Sequence, residues 1–119
     1  MNKSILIGRL TKDPELRYGH TNNTAICSFT LAVNRRMQEG TDFIPIVTFG
    51  KTAEFCSKHF TKGQQVAVVG KIQTRTWDDK DGKKHYATEV IADEVYFADS
   101  KKAGSEMPVN DSGDDELPF

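Results

Sequence analysis

Residues 64–77 read QQVAVVGKIQTRTW, a long strand in which Gly70 stands as the candidate bulge of a sharply coiled sheet. Asp79-Lys80-Asp81-Gly82 follows as a hairpin loop, and residues 85–98 (HYATEVIADEVYFA) form a further strand. Upstream, residues 24–34 (TAICSFTLAVN) alternate cleanly, with Cys27, Phe29, Leu31 and Val33 on one face and Ser28, Thr30 and Asn34 on the other. Residues 43–49 (FIPIVTF) make another strand, in which Pro45 argues for an edge or a bulge. Residues 2–10 (NKSILIGRL) are the first strand, ended by the turn signal Asp13-Pro14.

One helix fits the remaining span. Thr52 is the expected N-cap, Ala53, Cys56 and Phe60 share a face, and Gly63 is the expected stop. Three strands, a helix and two more strands is the element order of an OB-fold, a five-stranded Greek-key barrel, although small all-β barrels share much of that pattern. The expected class is therefore all-β with one short helix. From Asp99 onward Lys, Gly, Ser, Asp and Pro dominate, which reads as a disordered acidic C-terminal tail.

The 119-residue chain carries a formal net charge of −1, and that average conceals an asymmetry. Residues 1–98 hold 14 basic and 11 acidic side chains, whereas residues 99–119 hold 2 basic and 6 acidic. A moderately basic domain with an acidic tail is expected. No apolar run approaches the roughly 18 residues of a membrane span, and the N-terminus lacks a signal peptide's apolar stretch. Cys27 and Cys56, the only cysteines, sit among apolar neighbours. Their number permits a disulfide, but buried reduced thiols and a reducing cytoplasm suit them better.

Catalytic signatures are missing from the pattern. His20, His59 and His85 are scattered, with neither His-x-x-x-His nor Cys-x-x-Cys spacing, so no metal, cofactor or enzymatic role is expected. Aligned on Gly82, a calcium loop would need ligands where Trp77 and Thr88 stand, and Glu89 falls one residue too late. A hairpin turn is the better reading. The basic and aromatic residues say more. Period 2 puts Lys71, Gln73, Arg75 and Trp77 on one face of their strand, and Phe43 and Phe49 on one face of theirs, with Lys51 just beyond. Cations for phosphates and flat rings for bases are what a single-stranded nucleic-acid groove needs. On composition alone, two core phenylalanines and a tryptophan covering a barrel end fit as well.

The segments NKSILIGRLTKDPELRY, FTLAVNR, VTFGKTAE, KGQQVAVVGKIQTRTW and YATEV, in that order, resemble the bacterial and phage single-stranded DNA-binding protein family. The resemblance implies an OB domain over residues 1–98, usually assembled as a homotetramer, that binds single-stranded DNA in replication, recombination and repair in the cytoplasm. It implies base stacking by Phe43, Phe49 and Trp77, and phosphate contacts by Lys51, Lys62 and Arg75. Lys3 and Arg17 match basic positions more weakly, and Lys71 joins them by its place on the strand. Residues 99–113 are then a short linker. Asp114, Asp115, Glu116, Leu117, Pro118 and Phe119 resemble the family's acidic tip, which implies recruitment of replication, recombination and repair proteins. Where relatives frequently carry an aromatic after LAVNR, this chain has Met37, whose thioether can pack on a base but offers no ring.

Overall fold

A computed structural model describes residues 1–99. Six strands and one helix run in the order β1 (Ser4–Leu10), β2 (Glu15–Tyr18), β3 (Ala25–Asn34), β4 (Thr41–Phe49), α1 (Gly50–His59), β5 (Gln65–Asp78) and β6 (Lys84–Phe97). The sheet order is β1-β5-β6-β4-β3-β2, and a further β1–β3 pairing closes the five long strands into a barrel. That is the OB-fold the element order implies. Closure works because β3 is shared along its length. Its C-terminal half meets β1 at Arg9↔Ala32 and Leu10↔Leu31, and its N-terminal half meets β2 from Glu15↔Ser28 to Tyr18↔Ala25. The first barrel strand is thus broken in two at the Asp13-Pro14 turn.

The alternation of β3 is the core. Ala25, Cys27, Phe29 and Leu31 are buried together with Ile46, Val66, Val68 and Val90. Helix α1 plugs one end with Ala53 and Cys56, and the following Phe60 packs edge-on to Phe29 at 5.8 Å between ring centroids. Thr48 is fully buried, and its hydroxyl donates to the Cys27 carbonyl at 2.8 Å. Both cysteines are buried free thiols, and burial raises the pKa of each, that of Cys56 to about 12.

Gly70 marks the bulge. The register shifts between Val69↔Glu94 and Gly70↔Ala92, so Asp93 is the extra residue, on β6. A Cβ at Gly70 would lie 2.2 Å from the Ile91 carbonyl oxygen, a clash with backbone that cannot swing away. Pro45 sits in the half of β4 that pairs with β3 alone, since β6 joins only at Ile46 and Val47. Its missing N–H therefore faces an edge, as expected.

Several boundaries differ from the sequence reading. Helix α1 starts at Gly50, with Phe49 as an N-cap lacking any side-chain cap bond, so Thr52 does not cap it. Gly50 itself takes φ +64 and turns the chain out of β4. The helix stops before Gly63, because the core pulls Phe60 into extended backbone. Gly63 instead turns toward β1, donating its N–H to the Leu10 carbonyl at 2.8 Å. β2 has no sequence signature, being four residues long and exposed throughout. No helix among the described residues is long and apolar enough to cross a membrane. The linker and tip, residues 100–119, lie outside the described residues.

Candidate nucleic-acid interface

Residues directly opposite in a ladder share a face, so the registers define the outer surface of the barrel. One row runs Arg17, Ile26, Phe49, and the next runs Glu15, Ser28, Val47, Ile91, Lys71. Beyond these, Thr30 lies beside Pro45 and Ala32 beside Phe43. Apart from Lys71, Ala32 and Phe43, these residues floor an open groove of about 610 Å³, walled by Thr11, Lys12 and Asp13 at one end and by Gln73, Arg75 and Glu89 of the β5–β6 hairpin on the other side.

The three aromatics expected to stack are on the outside. Phe43 is 64% exposed, Phe49 46% and Trp77 43%, which excludes the core reading for both phenylalanines. Phe49 lines the groove, Phe43 lies farther along the same face of β4, and Trp77 stands up the hairpin on the face of Arg75 and Gln73. Here β5 has left the barrel, and every residue from Lys71 to Asp78 is exposed.

The cations are less concentrated than the sequence suggests. Arg17 and Arg75 line the groove, joined by Lys12. Lys71 stands opposite Ile91 on the same outer face, beyond the groove's lining. Lys3 adjoins Asn2, whose side chain continues the β1–β5 ladder through two bonds to the Ile72 backbone. Lys62 lies at the far end, its backbone N–H donating to Asp13. Lys51 is not part of the groove: α1 carries it to a separate depression shared with Thr52, Phe55 and Tyr96. Asp13, Glu15 and Glu89 meanwhile stand among the lining residues, matching Lys12, Arg17 and Arg75 charge for charge.

Two residues of this surface escaped the sequence reading. Glu89 is 8% exposed and accepts the Arg75 Nε–H at 3.0 Å, while the Arg75 guanidinium lies over the Trp77 ring, 4.6 Å from its centroid. His85 pairs directly across from Trp77, its ring stacked at 5.5 Å and 18°, and its Nε2 lies 2.8 Å from Asp79 Oδ2. The other Asp79 oxygen accepts the Asp81 and Lys83 N–H groups at 2.9 Å, closing the hairpin turn. His85 first, then the backbone N–H of Lys83, hold the Asp79 carboxyl below the usual carboxylate range. A hairpin centred on Asp81 already pairs Gln73 with Glu89 and Trp77 with His85, so counting back from the DKDG loop was the signal available for both.

Met37 is 87% exposed at the tip of the β3–β4 connection. That connection is kept tight by Arg35, whose Nη2 meets Asp42 Oδ1 at 2.9 Å. No cluster of three or more potential metal ligands occurs among the described residues.

Residues 1–98 match the single-strand binding protein family. The chain belongs to that family. "Single-stranded DNA-binding protein 2" of Clostridium acetobutylicum is 56% identical over 101 residues, covering 82% of this chain and 76% of its own. "Single-stranded DNA-binding protein" of Caldanaerobacter subterraneus subsp. tengcongensis is 56% identical over 106 residues, 85% and 70% of the two chains. The Clostridium tetani protein of the same name is 42% identical over 125 residues, covering all of this chain and 86% of its own. As a member of a family of binding proteins, the chain is not an enzyme.

Proposed function

We propose that this protein binds single-stranded DNA along the groove and hairpin, largely without regard to base sequence. The observation that carries the reading is the display of Phe43, Phe49 and Trp77 on one outer surface beside Arg17, Arg75 and Lys71. Every base has a π-face, so rings bind without reading sequence, and the cations take the phosphates. Trp77 is the only tryptophan. Titrating oligo-dT against its emission tests the reading: quenching that saturates is expected, and unchanged emission with no retained DNA sinks it. A protein-docking module with a weak groove is the second reading, favoured by the acidic residues that balance the groove's charge. The same titration decides, because that module leaves oligo-dT free at low salt.

Self-association belongs to this proposal. The edge of β1 away from β5 pairs with β3 only at Arg9 and Leu10, which leaves Ser4–Ile7 open. Ile5, at 69% exposure, and Ile7, at 47%, stand on the outer face, Ile7 in one row with Ala67 and Tyr96. An unpaired edge with apolar flanks suits pairing with a second copy. A homotetramer follows the family resemblance, and light scattering gives the mass directly.

We assign the working role to strand protection in replication, recombination and repair in the cytoplasm, with residues 1–98 as the DNA-binding unit and 99–113 as linker. Residues 114–119 are proposed to recruit partner enzymes. Their carboxylates precede Leu-Pro-Phe, and a basic-rimmed apolar pocket can read both. Deleting residues 114–119 should abolish recruitment and leave DNA affinity intact; loss of DNA binding with recruitment retained would overturn this division.

A further inference from the structure

Trp77 stands on a ribbon with no barrel behind it, yet a stacking ring works best when its orientation is settled before the base arrives. The hairpin supplies two fixings. Arg75 lies over the indole and is anchored by the nearly buried Glu89. His85 stacks against the indole and is anchored by Asp79, which the turn's own backbone N–H groups hold in place. A carboxylate only accepts, so the bond runs from His85 Nε2–H to Asp79 Oδ2 in either charge state of the ring. With rings 18° from parallel and centroids 5.5 Å apart, the contact is a displaced stack, the geometry in which aromatic pairs attract.

We infer that His85 is a positioning residue for single-stranded DNA binding: pinned by Asp79, it stacks on the Trp77 indole and fixes the ring's orientation before a base arrives. This rests on the proposed reading of Trp77 as a base platform. The spacing that creates the device is local to the hairpin. Trp77 and His85 are direct cross-strand partners, and Asp79 sits at the first turn residue, so one side chain closes the loop and orients the imidazole together.

A double-mutant cycle with oligo-dT tests it. His85→Ala should weaken binding about two- to ten-fold, the range an aromatic pair supplies. His85→Phe, which keeps a ring without the Asp79 bond, should restore only part of the loss, the remainder measuring the Asp79 anchor. In a Trp77→Ala background His85→Ala should have no further effect, since its target is gone. Time-resolved anisotropy of Trp77 in the free protein should show wider local motion for His85→Ala than for the parent or His85→Phe. Equal affinity of His85→Ala and parent overturns the inference, as does a loss that persists undiminished in the Trp77→Ala background. Failure of the parent to bind oligo-dT at all would instead sink the DNA-binding reading itself.

Discussion

Glu89→Gln is the substitution that best probes how charge is arranged in the groove. Glu89 is the least exposed acid there, and it holds Arg75, whose side chain is 54% exposed. A phosphate resting on the free end of that guanidinium lies roughly 7 Å from the Glu89 carboxylate. At an effective dielectric of about 20, Coulomb repulsion between them is about 2 kcal/mol. Solvent and salt at so open a site reduce this to about 1 kcal/mol. Glutamine keeps an acceptor for the Arg75 Nε–H and removes the charge. The variant should therefore bind single-stranded DNA about five-fold more tightly at low salt. The plot of log K against log salt should also steepen, by less than the roughly 0.7 of a whole phosphate, since Arg75 then neutralises one phosphate more completely. Fluorescence titration of oligo-dT at several salt concentrations measures both quantities. Weaker binding with an unchanged slope would refute the reasoning, because Glu89 would then matter only for its fit.

Phe49→Ala should weaken binding by about 1–3 kcal/mol, the loss of one stacked base, while Phe49→Trp should leave it near the parent; equal affinity of Phe49→Ala and parent would remove Phe49 from the interface. Gly70→Ala should cost about 3 kcal/mol or more, since its Cβ meets the Ile91 carbonyl oxygen at 2.2 Å, and a melting temperature within a degree of the parent would contradict the bulge geometry. The Cys56 thiol, raised from its ordinary value of 9.0 to about 12, favours the fold while it stays protonated. Its contribution is complete below pH 9, where the unfolded thiol is also protonated, and is lost as pH rises toward 12. Denaturation midpoints should fall across that window, less so in Cys56→Ala, and identical pH profiles would exclude the thiol as the cause.

How far this fold was legible depends on which contacts each element needs. β3 was readable from period 2, because one face meets the core and the other the groove along most of its length. Gly70 and Pro45 were readable as punctuation because each obeys a backbone constraint that holds in any context. β2 was not readable. Its four exposed residues are a strand only because β3 lies beside them, and no local property of ELRY announces that neighbour. Thr52 has the chemistry of an N-cap, but Gly50 had already turned the chain and begun the helix two residues earlier. At the site, the rings were visible as residue types on shared faces. The acids needed the strand registers, which counting back from the DKDG loop supplies only for Glu89. Glu89 looks like a solvated charge in the sequence, and only the return strand brings it under Arg75.

The hairpin also explains why the groove contains acids at all. Past the Gln73–Glu89 pair the ribbon leaves the barrel, and a two-stranded ribbon is marginal on its own. It needs cross-strand contacts of its own, and those available are Arg75 with Glu89, Trp77 with His85, and Asp79 closing the turn. A surface built only from cations and rings would repel itself here, with Arg75 and Lys71 along one strand. Glu89 and Asp79 relieve that repulsion and fix the side chains to which they bind. The groups that keep the ribbon folded are thus the groups that orient its ring and its guanidinium. Order is already present before a strand arrives, so less of the stacking energy is spent on immobilising side chains. On the proposed reading, the weaker net attraction for phosphate is the counterpart of that order.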